Sequence, residues 1–403
     1  MNDVIELAQQ LIRTPSPVYD GDETLVAALV QDWLADAGLP AAEVYALAPD
    51  RPNLVATIDF GTGGSHLVLS GHLDTKPVGA AKWTVDPFGA DIDGDRLYGL
   101  GSGDMKAAIA AMLVATRDVV DAGALTAGRL TLLLTADEED GSTYGAKYLS
   151  SGALDLSADA LVIGEPGGIE DDFDGLHLVS RGLGRFTLTA TAVQGHSSLS
   201  TILPRRNAGL DLADALQSLA GVVEVTVPDN TDDLRHWGAT VNPALTFRGG
   251  VGYGVLPQEM TATVEVRTIP GMTDEQLLAD LRAAVAPRAA ATGADVAVEF
   301  DNAPHHWIEG TRVRAADPLV ASIQRVTENV FGASLPLTVF PGTTDTSWFA
   351  PNGIPSLPAL GPGLISRAHG ADEWVSVDAV RRSVDLYRAL ITDFCASSRE
   401  DRP

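Results

Sequence analysis

The sequence predicts an α/β protein: a mostly parallel sheet with helices on both faces, interrupted by an inserted ferredoxin-like βαββαβ domain. Three observations carry this. Helix and strand patterns alternate through the first 180 of the 403 residues. Beyond residue 180 the strands alternate with period two, and the order of elements becomes βαββαβ. From residue 303 the helix–strand–helix style returns. Residues 1–180 and 303–403 are thus expected to form one α/β domain, and residues 181–302 a small inserted one. A chain of this length has room for two or three domains at roughly 150 residues each.

The elements follow in order. In "MNDVIELAQQLIRT", Val4, Leu7, Ala8, Leu11 and Ile12 recur at helical spacing behind Asn2 or Asp3 as opener. The stretch lacks the basic start and apolar block of a signal peptide. A second helical pattern runs through "DETLVAALVQDWLADAG", and strands follow at "NLVATIDF" and "SHLVLSGH". Gly123 closes the Ala-rich helix "MKAAIAAMLVATRDVVDAG". Then come the strand "GRLTLLLTA", a helix through "TYGAKYLSSG" and the strand "ALVIGE", with Pro166 as the start of a loop. The inserted domain reads as strand "GRFTLTATAVQ", helix "RRNAGLDLADALQSLAG", strands "ALTFRGGVGY" and "EMTATVEVRTIP", helix "TDEQLLADLRAAVA" and strand "ADVAVEFD". The last part adds the helix "DPLVASIQRVTENVFG", the strand "IPSLPALGPG" and the helix "SVDAVRRSVDLYRALITDFCA".

Composition narrows the chemistry. Asp and Glu number 54 against 27 Lys and Arg, a net charge of −27 with no basic stripe, so a nucleic acid would be repelled. There is no run of about 18 apolar residues, so no membrane span is expected. A cytoplasmic protein is the default expectation. Cys395 is the single cysteine, which excludes an internal disulfide and a thiolate zinc cluster. Any bound metal must take His, Asp and Glu ligands.

Sites in open α/β sheets lie beyond the carboxyl ends of the strands. "SHLVLSGHLD" delivers His72 and Asp74 there, "RLTLLLTADEED" delivers Glu138 and Glu139, and "ALVIGEP" delivers Glu165. The turn "YGLGSGDMKAA" adds Asp104 at a helix start, and "LISRAHGADE" adds His369. Without cations so many carboxylates would each raise the next one's pKa. A pair of divalent metals removes the conflict. Two zinc ions, each with one His and one carboxylate plus a shared bridging carboxylate, need five protein ligands. Asp74 faces the same way as His72, so it can take the second ring nitrogen or orient the loop. Of Glu138 and Glu139, one binds metal and the other takes a proton from water.

The bland readings differ. Asp104 alone is an N-cap, and Lys106 is structural or a surface charge. His305 and His306 take surface or packing roles, and Cys395 belongs to the core. "GLGSGD" is spaced G-x-G-x-G, not G-x-G-x-x-G, and Asp104 would put negative charge where a pyrophosphate should sit.

"SGHLDTKP", "LYGLGSGDMKAAIAA", "LLTADEEDGSTYGAKYL", "VIGEP", "GHSS" and "LGPG…AHGADEWV" together resemble the co-catalytic di-zinc deacylases and exopeptidases that include acetylornithine deacetylase, succinyl-diaminopimelate desuccinylase and bacterial glutamate carboxypeptidase. The resemblance covers nearly the whole chain. It implies a zinc-exopeptidase-like fold and two Zn2+ per chain, for which Co2+ can substitute. His72, Asp104 and Glu165 would bind one zinc; Asp104, Glu139 and His369 the other, with Asp104 bridging. Glu138 would be the general base, with Asp74 behind His72. His196 of "GHSS" would reach a partner subunit's active site and stabilise the oxyanion, and the inserted domain would be a lid through which the chain forms a homodimer. Arg267 would hold a substrate carboxylate, with Asn242 lining the same pocket. Where the desuccinylases carry "GGTSD" followed closely by arginine, this chain has "PGTTDTSWF". Thr343, Thr344 and Asp345 match, with Thr344 expected at the substrate. Ser347 and Trp348 stand in the region of the arginine, which counts against a strict desuccinylase. The implied activity is cleavage of the amide bond of an N-acyl amino acid. The alternatives are a dipeptidase or glutamate-carboxypeptidase-like enzyme, or, in another class, a non-catalytic metal-binding dimer.

Overall fold

The computed structural model describes residues 3–220, 237–301 and 305–397. Asn2 and the expected boundary at 302/303 lie outside them. The chain forms two compact units: Met1–Val179 with Arg312–Phe340 and Thr344–Pro403, and Ser180–Thr311 with Pro341–Thr343. Unit 1 opens with α1 (Asp3–Ile12), α2 (Thr24–Asp36), β1 (Glu43–Ala46), β2 (Pro52–Gly61), β3 (His66–His72), α3 (Ala107–Ala122), β4 (Gly128–Thr135) and β5 (Ala160–Ile163). Unit 2 supplies β6 (Gly182–Thr191), α4 (Ala208–Gln217), β7 (Thr240–Gly249), β8 (Glu259–Thr268), α5 (Asp274–Thr292) and β9 (Asp295–Phe300). Unit 1 resumes with α6 (Pro318–Phe331), β10 (Ser356–Leu357) and α7 (Val377–Ala396).

The main sheet of unit 1 has the order β1-β2-β4-β3-β5-β10. Only β2 runs against its neighbours; β4, β3, β5 and β10 pair in parallel. Every residue of β3 is buried, as a central strand covered on both faces requires. Full burial of a side chain such as Leu67 or Leu69 contributes about 1.5–3 kcal/mol. α3 is apolar nearly all round, with Ala107 through Thr116 buried, because α1 and α7 both pack on it. Its many alanines permit close approach, and Gly123, at φ +59, ends it. Parallel register sets His72 opposite Thr135 and Ser70 opposite Ile163, so the carboxyl ends of three core strands finish together.

Two sequence readings change here. Pro166 does not start a loop: Pro166–Gly168 is a short strand in parallel with Gly361–Leu364, with proline at the first strand position, where its missing N–H is tolerated. "IPSLPALGPG" is not one strand. Ser356–Leu357 joins the main sheet and Gly361–Leu364 the small one.

Unit 2 has the sheet order β7-β8-β6-β9, antiparallel throughout, which is the split βαβ plan. Phe186, Leu188 and Ala190 of β6 are buried while Thr187, Thr189 and Thr191 are half-exposed, the period two visible in the sequence. α4 packs on β6 and β8, and α5 on β9. Asn207 and Thr273 cap the two helices by accepting N–H groups of Gly209 and Gln276. Trp307–Ile308 still pairs with β6, which keeps the chain in unit 2 as far as Thr311.

Candidate active site

The histidines and carboxylates described first belong to unit 1. β3 ends in His72, whose ring is buried. Its Nδ1 lies 3.0 Å from the main-chain oxygen of Asp74, which fixes the ring. Its Nε2 lies 3.0 Å from Asp104 Oδ1 and 3.5 Å from Glu165 Oε1. The other oxygen of Asp104, Oδ2, is 3.0 Å from His369 Nε2. One carboxylate therefore sits between two imidazoles. His369 Nε2 is also 3.1 Å from Glu139 Oε2, which Lys76 Nζ approaches equally closely. Glu139 Oε1 is buried and makes no hydrogen bond. Donor atoms of His72, Glu138 and Glu165, and of His72, Asp104 and Glu139, each gather within 4.8 Å.

Asp74 is fully buried and acts on both sides. Its Oδ1 is 3.6 Å from His72 Nδ1 and accepts the N–H of Glu138, and its Oδ2 accepts the N–H of Glu139. Asp74 thus meets His72 chiefly through its main-chain oxygen and the loop through its carboxylate. Burial would raise its pKa, but the bonds from His72 and from the Glu139 amide outweigh that and hold it below the usual range.

The electrostatics follow from burial and from the crowding of carboxylates around two imidazoles. Burial, then Asp104, pushes Glu165 up to about 8. Burial, then Glu165, carries Glu138 well above its ordinary value. Burial opposes charge on His369, yet Asp104 and Glu139 raise it to about 11. Four carboxylates, of Asp104, Glu138, Glu139 and Glu165, thus face two imidazoles and one ammonium. That donor set, with a shared Asp104 and an unbonded Glu139 oxygen, fits a pair of divalent cations bound by nitrogen and oxygen.

One bland reading is corrected, and for Lys106 the structural alternative is the one that fits. Asp104 caps nothing: α3 begins at Ala107 after Lys106, and both Asp104 oxygens point to histidines. Lys106 is no surface charge. It is buried, its Nζ donates to the main-chain oxygens of Leu11 (3.0 Å) and Thr14 (2.7 Å), and burial pulls its pKa down to about 7. His305 is buried, and His306 bonds Asp274 and packs on Phe300. Cys395 is buried.

Sequence reasoning missed two buried carboxyls. Glu373 Oε1 accepts the N–H groups of Gly103 and Asp104, and burial, then Asp104, pushes it up to about 8. Asp345 accepts the hydroxyls of Thr135 (2.9 Å) and Ser142 (2.5 Å), and burial raises it to about 6. The available signal was their place, four residues after His369 and one after Thr344. Thr344 itself is buried, its hydroxyl 2.9 Å from that of Thr346.

Three expected residues belong to unit 2. His196 is exposed on a two-residue strand paired with Val255–Leu256. Its Nδ1 accepts the N–H of Ser198, so a neutral ring carries its proton on Nε2. Arg267 donates from Nε to Glu265 (3.0 Å) and from Nη1 to Thr343 (3.2 Å). Asn242 lies on β7 opposite Glu265.

The chain resembles proteins of known kind. It is 29% identical over 399 residues to a succinyl-diaminopimelate desuccinylase of Methylocella silvestris, covering 97% of each chain. It shares its fold with the metallo-carboxypeptidase Sso-CP2 of Sulfolobus solfataricus (TM-score 0.78, 19% identity, 98% of this chain and 100% of that one). It does so too with the dipeptidase Dug1p of Saccharomyces cerevisiae (TM-score 0.78, 15% identity, 98% and 96%). Residues 68–393, from the core strand before His72 into the last helix, match peptidase family M20/M25/M40, and the chain belongs to that family.

Proposed function

We propose that the chain is a di-zinc hydrolase that removes the acyl group from an N-acyl amino acid. Membership of a peptidase family makes it a hydrolase. The observation that carries the rest is Asp104 held 3.0 Å from each of two histidines, with Glu165 and Glu139 beside them. In this reading His72, Asp104 and Glu165 hold one metal, and Asp104, Glu139 and His369 the other. When bound, the metals balance the carboxylates and supply Lewis acidity toward water and the scissile carbonyl. Glu138, which no ligand role uses, takes the proton of the attacking water and returns it to the leaving amine. Asp74 keeps His72 and the Glu138 turn in place.

His196, Asn242, Arg267 and Thr344 enter on the resemblance. A ring whose Nδ1 is an acceptor offers Nε2–H as donor, which suits an oxyanion. Arg267 and Asn242 would take a substrate carboxylate, and Thr344 would lie nearby. The partner we infer is a second copy, joined along the β7 edge, with His196 serving the other copy's site. Cytoplasmic location fits a chain in which no helix among the described residues is long and apolar enough to cross a membrane. Deacylase is favoured over dipeptidase by the 29% identity to a desuccinylase over nearly the full length.

The test is metal analysis with an activity panel. Protein reconstituted with zinc should hold close to two ions per chain, and His72→Ala or His369→Ala should lower that number. Cobalt should support activity. N-acetyl and N-succinyl amino acids should be cleaved faster than dipeptides. One ion per chain, unchanged in both variants, would overturn the metal assignment; faster dipeptide cleavage would overturn the acyl assignment.

A further inference from the structure

The turn that carries Glu138 and Glu139 is an improbable piece of backbone. Asp137 has φ +65 and Ser142 φ +62, both left-handed without being glycine. Such turns persist where their surroundings over-determine them. Asp74 supplies one grip, from the side of the histidines. A second grip comes from the entry to β2, where no metal-binding role falls.

Asn53 is fully buried and spends its whole side chain there. Its Oδ1 accepts the N–H of Ala136 (2.9 Å), and its Nδ2 donates to the oxygens of Tyr144 (2.8 Å) and Tyr45 (2.9 Å). One amide thus closes both ends of the 136–144 loop and ties it to β1. Arg51, two residues earlier, is also buried. Its Nη2 donates to Asp137 Oδ1 (2.8 Å), its Nε pairs with Glu23 Oε2 (2.9 Å), and its guanidinium lies 5.1 Å from the ring of Tyr144. Asp137 Oδ2 in turn accepts the N–H of Tyr144 (3.1 Å). Together they fix the left-handed residue immediately before Glu138.

We propose that Arg51 and Asn53 are positioning residues that aim Glu138, acting through Asp137 and the two ends of its turn. This rests on the reading of Glu138 as the base. Neither residue touches the acidic cluster, so each acts on turnover through the turn. The roles depend on shape. Lysine at 51 keeps the charge but cannot hold Glu23 and Asp137 with one planar fork. Aspartate at 53 still accepts from Ala136 but sets an oxygen against the oxygens of Tyr144 and Tyr45.

The experiment compares Arg51→Lys and Asn53→Asp with the parent, all loaded with zinc. Hydrogen exchange in peptides spanning 136–144 should quicken by about tenfold or more, while peptides of α3 keep their protection. On the best N-acyl substrate of the panel, kcat should fall about 10–100-fold with KM and zinc content little changed. Placed in a Glu138→Gln background, neither substitution should cost much more, because the group being aimed is already gone. Unchanged exchange or unchanged kcat in the folded variants would overturn the inference. So would an equal loss in both backgrounds, which would put their action elsewhere. If Glu138→Gln alone kept full turnover, the base assignment would be at fault, and the exchange data would still report whether the grip exists. Should Asn53→Asp not fold, Arg51→Lys decides the matter.

Discussion

Glu138 and Glu139 are neighbours in sequence with different surroundings. Glu139 pairs with His369 and Lys76, while the Glu138 carboxylate gathers with His72 and Glu165. Glu138→Gln keeps the size and removes the proton acceptor, so turnover should fall about 10²–10⁴-fold with zinc retained. Steady-state rates alongside metal analysis would show it; loss of zinc instead would mean that the two glutamates exchange roles. Lys106→Met removes two hydrogen bonds, one to Leu11 in the last turn of α1 and one to Thr14 just beyond it, and leaves Leu11 only its bond from the Thr14 N–H. It should destabilise the fold by about 1–3 kcal/mol, read by denaturant titration, and an unchanged midpoint would refute the role. The residues legible in the sequence were those a strand delivers to its own end, His72, Asp74, Glu138, Glu139 and Glu165, and two in motif-bearing turns, Asp104 and His369. Asn53, Asp345 and Glu373 were not legible, because a polar residue beside a strand or in a loop reads as solvated until the fold shows what it reaches. For Lys106 the sequence left a structural role and a surface charge open, since burial of a lysine depends on carbonyls some 90 residues away.

At the scale of elements, β7 is an edge strand that exposes Leu245 (55%) and Phe247 (58%). Natural proteins seldom leave such an edge open. If the second copy covers it, Phe247→Asp should shift the protein from dimer to monomer in sedimentation, and an unchanged dimer would place the interface elsewhere. α7 offers an independent check. Cys395 is buried and burial pushes its thiol up to about 12, so a thiol reagent should find almost nothing in the native protein and one group per chain in denaturant. Element types were legible from periodicity, and element ends less so. α5 continues through Pro287, where the pattern "TDEQLLADLRAAVA" ends, and closes at Gly293, φ +69, whose left-handed backbone caps the helix. "IPSLPALGPG" read as one strand because its apolar run does not show where the chain leaves one sheet for another.

At the scale of the whole molecule, the inserted unit carries His196 and the surrounding unit carries Glu138. If His196 serves the other copy of a dimer, a mixture of His196→Ala and Glu138→Gln chains contains dimers with one intact site. Such a mixture should regain activity well above either variant alone. If tagged subunits are seen to exchange and activity stays absent, His196 acts within its own chain or serves only its turn.

The pairing of Ser356 with Leu161 has a consequence for how the chain is made. β5 leaves the ribosome long before its partner β10, and all of unit 2 is synthesised between them. The sheet strands of unit 2 all lie within residues 182–308, so that sheet can close while the main sheet still lacks its last strand. His369 arrives later still, beyond β10. Synthesis in this order lets the insert mature first and the acidic cluster last. Until then β5 has an unpaired apolar edge open to mispairing during synthesis.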